Sequence, residues 1–532
     1  MSSIGRTTGL ACALTLVTAL IAAPAAAVNG SAGSAPTVRR DVRATLHGQG
    51  SRTGYPGYAS SRSGPFTSGS RGTAAADASA SSAPVSRTPS SLLSFDAIPQ
   101  IEGFEPSDTS GALGDHWFFT TVNTRFALWT PTGTQQIAPT LLDSLAPDTD
   151  GFDVFDPKVV YDPYNDTFVM VYLATRDAPH GSLIVITAIP DATADQQSTW
   201  CTNVIRGDQV ATDAAQWADY PSLGFSADRV TVSTNQFKFP TSRDAFSYAQ
   251  VLSFPKTSLY DCSQTLTVDV FAGSATQNPD GSPAMTIQPA QTAGAATSDQ
   301  FMLSFSGPGR SSALTAWRIR PTAAGLVLKK GEMLTGRTHP APAGTQGGGS
   351  LTNNDTWWDT GDLRLINAFY DADRNALYAA HVVGRDLGPD TVTGGYPESV
   401  IRWYEVLPAS RLVDSVLNRK GIVGQAETDA GWPSVATDAS GNLFITYSRA
   451  SEPLNEFLSA WAAEIVPGST TATTVLLRAG TAVHDALKGV ERWGDFTGIN
   501  RDPVDPALIA MVNQIATLGS AWQQTVNVVT HG

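Results

Sequence analysis

The chain has 532 residues, of which 42% are hydrophobic and only 15% charged, with a formal net charge of -14. That is enough apolar material for one large or two ordinary domains. So acidic and sparsely charged a chain argues against nucleic-acid binding, which draws on lysine and arginine to neutralise phosphates.

Residues 1–27 read as a secretory signal peptide: Arg6 supplies the positive start, Leu10 to Ala23 the apolar stretch, and Ala25-Ala26-Ala27 a small-residue cleavage site. The mature protein is therefore expected to be secreted and extracellular, beginning near Val28. No later apolar run is long enough to span a bilayer. Residues 28–90 are rich in Ser, Gly, Ala and Arg and poor in large aliphatic side chains. A segment of that composition cannot offset the entropy of ordering itself, so it is expected to be a disordered leader. After the signal, two of the three cysteines remain, Cys201 and Cys262. In an oxidising compartment an even pair invites a disulfide, and two separate buried thiols are the alternative.

From residue 91 to 532 the chain repeats itself. FDPKVVYDPYNDTFVMVYL from Phe155, DYPSLGFSADRVTVSTNQF from Asp219, GDLRLINAFYDADRNALYAAH from Gly361, GWPSVATDASGNLFITYSRA from Gly431 and GDFTGINRDPVDPALIAMVNQI from Gly494 share one plan. A polar or aromatic start leads into a short alternating strand, a turn of Asp, Asn, Gly or Pro, and a second strand of β-branched and aromatic residues. SDTSGALGDHWFFTTVNTRF from Ser107 and IQPAQTAGAATSDQFMLSFSG from Ile287 complete the series. Further strand-like sequence follows each hairpin, as in GSLIVITAIPD from Gly181 and ESVIRWYEVL from Glu398. The expectation is an all-β fold, a β-propeller of about seven four-stranded blades, with one blade fewer if the Ile287 unit belongs to its neighbour. Too few strands remain after the last unit, so SLLSFDAI from Ser91 is expected to complete the final blade and close the ring.

These motifs, together with DTSGALGDHWFFTTVNTRFALW, IRWYEV and RWGDFTGINRDPVDP, resemble a group of bacterial secreted β-propeller proteins distantly similar to sialidase-type propellers. The resemblance covers most of Pro106 to Ala516 and implies architecture rather than chemistry. The sialidase Asp-box, Ser-x-Asp-x-Gly-x-Thr-Trp, is missing.

No G-x-S-x-G elbow, H-E-x-x-H, paired C-x-x-C, phosphate loop or dinucleotide fingerprint occurs. What remains is positional, because in a propeller the loops leading into the inner strands ring one mouth of the axis. Those loops carry Trp217 before Asp219 and Tyr220, Trp357 and Trp358 before Asp359 and Asp362, Trp432, and Arg492 with Trp493 before Asp495. Asp108 and Asp156 hold comparable places in the first two units. If these side chains face the axis, aromatic faces could stack on a sugar ring and carboxylates could accept from its hydroxyls. A pair from Asp219, Asp359, Asp362 and Asp495 would then serve as acid and base in glycosidic cleavage. Otherwise the tryptophans pack between sheets and the aspartates cap turns. Three functions stay open: recognition of a glycan or cell-surface ligand at the mouth, a glycoside hydrolase or lyase, and a protein-interaction scaffold, in each case a monomer. No cofactor is expected beyond Ca²⁺, for which Asp148, Asp150 and Asp153 around Gly151 offer oxygen ligands. That run lacks the complete loop with its distal Glu, and an Asx-rich turn without metal is the competing reading.

Overall fold

A computed structural model describes residues 37–39, 42–47 and 88–532, apart from 102, 211–214, 242–244, 308–311 and 389–397. The expected signal peptide therefore lies outside the described residues. Within them the chain is all-β, and its few helical segments are single turns of three or four residues. Four antiparallel strands in sequence order recur as a unit. The first unit runs through Ser110–Leu113, Phe118–Val122, Arg125–Trp129 and Gln135–Leu141. The second spans Asp153–Asp162 to Cys201–Arg206, and the third Gln216–Phe225 to Leu266–Phe271. The fourth spans Gln288–Ala293 to Gly325–Leu334, the fifth Ala368–Asp371 to Val416–Val423, and the sixth Asp429–Thr437 to Thr473–Arg478.

A seventh unit has three strands of its own, Gly498–Arg501, Leu508–Thr517 and Ala521–Thr530. Its fourth is Ser90–Pro99, which pairs antiparallel with the last of them, Phe95 opposite Val526.

The local sequence explains these hairpins. Second strands such as TFVMVYLATRD read as nearly continuous apolar runs because both of their faces are covered by neighbouring sheets. The turns before them carry the left-handed residues Asp166, Asn375 and Gly441, types that tolerate positive φ. Apolar layers fill the space between consecutive units: Val171, Ile186 and Val232 between the second and third, and Leu314, Tyr370 and Tyr404 between the fourth and fifth. Phe118, Val512 and Val526 form the layer between the seventh unit and the first.

First strands lie side by side. Those of the third, fourth and fifth units pair in parallel, Phe225 with Gln291 and then Ala290 to Ala293 with Ala368 to Asp371. Elsewhere side chains make the link. Asn367 accepts from Val435 N at 2.9 Å and donates to Val435 O at 3.0 Å, while Asn500 brackets Leu113 N and O at 3.0 and 2.9 Å. One asparagine amide thus supplies the donor and the acceptor that a neighbouring strand would otherwise provide.

Two findings concern the N-terminal segment. Thr37–Arg39 adds in parallel to the outer strand Cys201–Arg206, and Val42–His47 does the same to Leu266–Phe271. These nine residues lie within the 28–90 segment and pair as edge strands. Adding a strand to a sheet edge draws on backbone N–H and C=O groups, which any composition supplies. Cys201 and Cys262 are joined, with Cα atoms 5.5 Å apart, linking the outer parts of the second and third units.

Candidate functional site

Each first strand has a residue with positive φ near or ahead of its start: Asp108 (43°), Asp156 (54°), Tyr220 (53°), Thr286 (54°), Gly361 (103°), Trp432 (53°) and Gly494 (134°). In the second, third and sixth units a register shift falls at this point, and the left-handed residue is followed by Pro157, Pro221 or Pro433. Proline has no N–H to leave unpaired, so it suits the residue that a bulge removes from the ladder. At each non-glycine position such backbone costs on the order of 1–3 kcal/mol, and strain of this kind gathers at functional sites.

These starting points bring together residues far apart in sequence. Asp495 N donates to Asp108 Oδ1 at 2.8 Å, and Tyr220 Oη donates to Asp495 O at 3.2 Å. Asn123 donates to Asp108 Oδ2 and accepts from Asp156 N, the latter at 2.9 Å. The Asp108 carboxyl lies close enough to Asp156 to oppose its ionisation. Arg492, about half exposed, pairs with Asp495 at 3.2 Å, and Arg364 pairs with Asp362 at 2.8 Å. Lys158 donates to Ile366 O at 3.0 Å, with its ammonium 4.1 Å from the centre of the Phe496 ring and 5.4 Å from that of Tyr220. The Arg364 guanidinium lies 4.2 Å from the Tyr220 ring centre.

Burial and crowding shift the charges. Burial, and then the charge of Asp495, push Asp108 up to about 7. Asp156 rises well above the carboxylate range through burial and through Asp108, Asp219 and Asp495. Burial lifts Asp219 to about 6, although Arg364 and Arg492 oppose it, and raises Asp359 as well. Lys158 is lowered to about 7 by burial, against the pull of Asp156 and Asp495. Arg492 is held more firmly charged, first of all by Asp495. The site is a knot of carboxylic acids that retain protons toward neutral pH, topped by a guanidinium open to solvent.

Of the residues singled out in the sequence, Asp108, Asp156, Asp219, Tyr220, Arg492 and Asp495 meet in this cluster. Asp359 and Asp362 flank it: Asp359 Oδ1 accepts from Gly361 N at 2.9 Å, and Asp362 is about half exposed. The tryptophans correct the expectation of an aromatic wall. Trp358, Trp432 and Trp493 are buried to 0%, 2% and 1% exposure in one core cluster. Their indole N–H groups donate to Thr345 O, Asp359 O and Ser448 Oγ. Trp217 packs against Phe155 and Phe237. None of these four presents a free face for a sugar ring, while Trp357 is half-buried and donates its indole N–H to Ser350 O at 2.7 Å. The Ca²⁺ expectation is corrected too. Among the described residues no three His, Cys, Asp or Glu side chains converge as metal ligands, and Asp148 belongs to a single helical turn, Pro147–Thr149, followed by Asp150.

Lys158 and Arg364 are the members that sequence reasoning missed. Lys158 stands two residues after the left-handed Asp156, where other units have Ser110, Ser222, Gln288 and Ser434, and that lone lysine is the signal, since a buried ammonium needs a compensating reason.

No family model matches the chain, and no curated protein matches it. Among solved structures it is similar to the GH93 alpha-L-arabinofuranosidase of Fusarium graminearum, at 9% identity over 83% of this chain and 98% of that one, with a TM-score of 0.37. The Trypanosoma rangeli sialidase is similar at 10% identity over 82% of this chain and 59% of that one, TM-score 0.35. Drosophila Semaphorin 1b, extracellular domains 1-2, is similar at 9% identity over 84% and 88%, TM-score 0.36. Identity this low transfers no residue role.

Among the described residues no helix is long and apolar enough to cross a membrane.

Proposed function

We propose that the seven units close into one β-propeller, with Ser90–Pro99 sealing the ring, and that the secreted protein binds an extracellular glycan where the left-handed residues gather. The observation that carries this reading is the convergence of Asp108, Asp156, Asp219 and Asp495 with Arg492 and Lys158 at the starts of four different first strands. Carboxyl groups that both donate and accept, beside a half-exposed guanidinium, match the alternating donors and acceptors of vicinal hydroxyls. With Trp217, Trp358, Trp432 and Trp493 buried, recognition rests on hydrogen bonds rather than on stacking.

Glycosidic cleavage is the second reading, favoured by one observation. Asp108 holds its proton up to about 7 directly beside Asp495, which is ion-paired with Arg492. A protonated acid next to a paired carboxylate is the division of labour that glycoside hydrolysis needs.

The test is a glycan screen on the secreted protein, recording binding and new reducing ends together. Glycan binding lost in Arg492→Ala supports recognition at this site. Release of product that disappears in Asp108→Asn or Asp495→Asn, with binding retained, converts the reading to hydrolysis. Neither binding nor product across neutral and acidic glycans would leave the cluster a structural knot and refute both.

A further inference from the structure

A second site lies away from the axial acids. A cleft of about 510 Å³ follows the outer strand of the fifth unit, between Lys420 to Gly424 and the Thr470 to Thr474 stretch of the sixth. A smaller hollow of about 230 Å³ continues it past Arg385, Arg402 and Ile422 to Arg337 and His339. The larger volume falls in the range of roughly 300–1,000 Å³ usual for ligand sites.

Its charge is reversed relative to the molecule. The chain carries 34 Lys and Arg against 48 Asp and Glu, yet four cations, Arg337, Arg385, Arg402 and Lys420, line this one cleft. Among the described residues none of the four forms an ion pair. Arg402 instead donates to Thr338 Oγ1 at 3.0 Å and Thr335 O at 2.8 Å, and Lys420 donates to the same Thr335 O at 2.7 Å. Carbonyls hold the two side chains in place without neutralising them. Burial lowers the Lys420 pKa, and the neighbouring Arg402 lowers it further. Glu398, opposite Arg385 in the strand register, is engaged by Leu387 N and Glu427 N. Behind Gly421 lies the buried Trp403, whose Nε1 makes no hydrogen bond.

We propose that this cleft binds the anionic group, sulfate or carboxylate, of an acidic saccharide. Arg402 and Lys420, held but unneutralised, are preorganised for an oxyanion, and Arg337 and Arg385 add charge beside them. The cleft is far larger than one oxyanion, and its opposite wall offers Thr470, Thr471 and Thr474, groups suited to sugar hydroxyls. The inference does not rest on the axial site, since the two share no residue.

Calorimetric titration of the full secreted chain with a sulfated disaccharide, its unsulfated parent and inorganic sulfate tests it. The expected result is binding of the sulfated sugar, tighter than that of inorganic sulfate, weakened by salt and absent for the parent. Arg337→Glu with Arg385→Glu should weaken it about ten-fold, as should Lys420→Gln, with Tm unchanged. Arg411→Glu, an exposed arginine outside the cleft, should leave it intact. Equal binding of the parent, equal or tighter binding of inorganic sulfate, or full affinity in the folded cleft variants would each overturn the proposal.

Discussion

Asp108 is 1% exposed, accepts from Asp495 N and Asn123, and holds its proton to about 7. A carboxyl whose folded pKa exceeds its unfolded one binds more protons in the native state, so stability is fullest below the unfolded value and is lost as pH rises through the folded one. For Asp108 that window runs from about 4 to about 7. Lys158 acts in another window: its pKa falls from 10.5 to about 7, so its cost accumulates as pH drops from 10.5 toward 7 and is constant below. Between pH 4 and 7 the carboxyls alone set the slope from this cluster. Thermal unfolding of the wild type should show Tm declining across that interval, and Asp108→Asn, which has no proton to lose, should flatten the decline. An identical slope in the variant would remove Asp108 from the account.

At the scale of the element, first strands are tied to their neighbours by single amides. Val435 is fully buried, and Asn367 satisfies both its N–H and its C=O. Asn367→Ala leaves two buried backbone groups unpaired, at a cost of roughly 1–3 kcal/mol for each group that water cannot reach. Chemical denaturation should report that loss with an unchanged m-value. The hairpins themselves were legible in the sequence, since Asp-Pro, Tyr-Pro and Trp-Pro mark the bulges and Asp, Asn and Gly mark the turns. Even the Ile287 unit, the faintest of the series, begins with its own left-handed residue, Thr286. The direction of the tryptophans was not legible. Trp432 and Asp108 occupy equivalent positions, yet one indole packs into the core while the other side chain joins the acids. Period-two alternation assigns faces along a regular strand, and a left-handed bulge resets it. Lys158 was missed for a related reason: its value as a signal depends on the strand being covered on both faces.

For the molecule as a whole, the Cys201–Cys262 bridge closes a loop spanning 61 positions. Chain-entropy reasoning assigns such a loop about 4 kcal/mol of stabilisation. The Cys201→Ser, Cys262→Ser double variant should lose stability of that order in denaturant titration, and one as stable as the wild type would show that packing alone holds the second and third units together. The leader strands beside these units escaped sequence reasoning because composition reports on cores, while edge pairing is a backbone matter. The seam of the seventh unit bears on how the protein comes to be made. Ser90–Pro99 leaves the ribosome well before its partner Ala521–Thr530, which begins 422 residues after Pro99 when counted from 99 to 521. At roughly 5–20 residues per second the early strand waits for tens of seconds without its mate. Its exposed Leu92 and part-buried Leu93 and Phe95 are then free to pair with other chains. Synthesis of this protein therefore has a vulnerable interval as long as the stretch between the paired strands, and it ends only when the partner strand arrives.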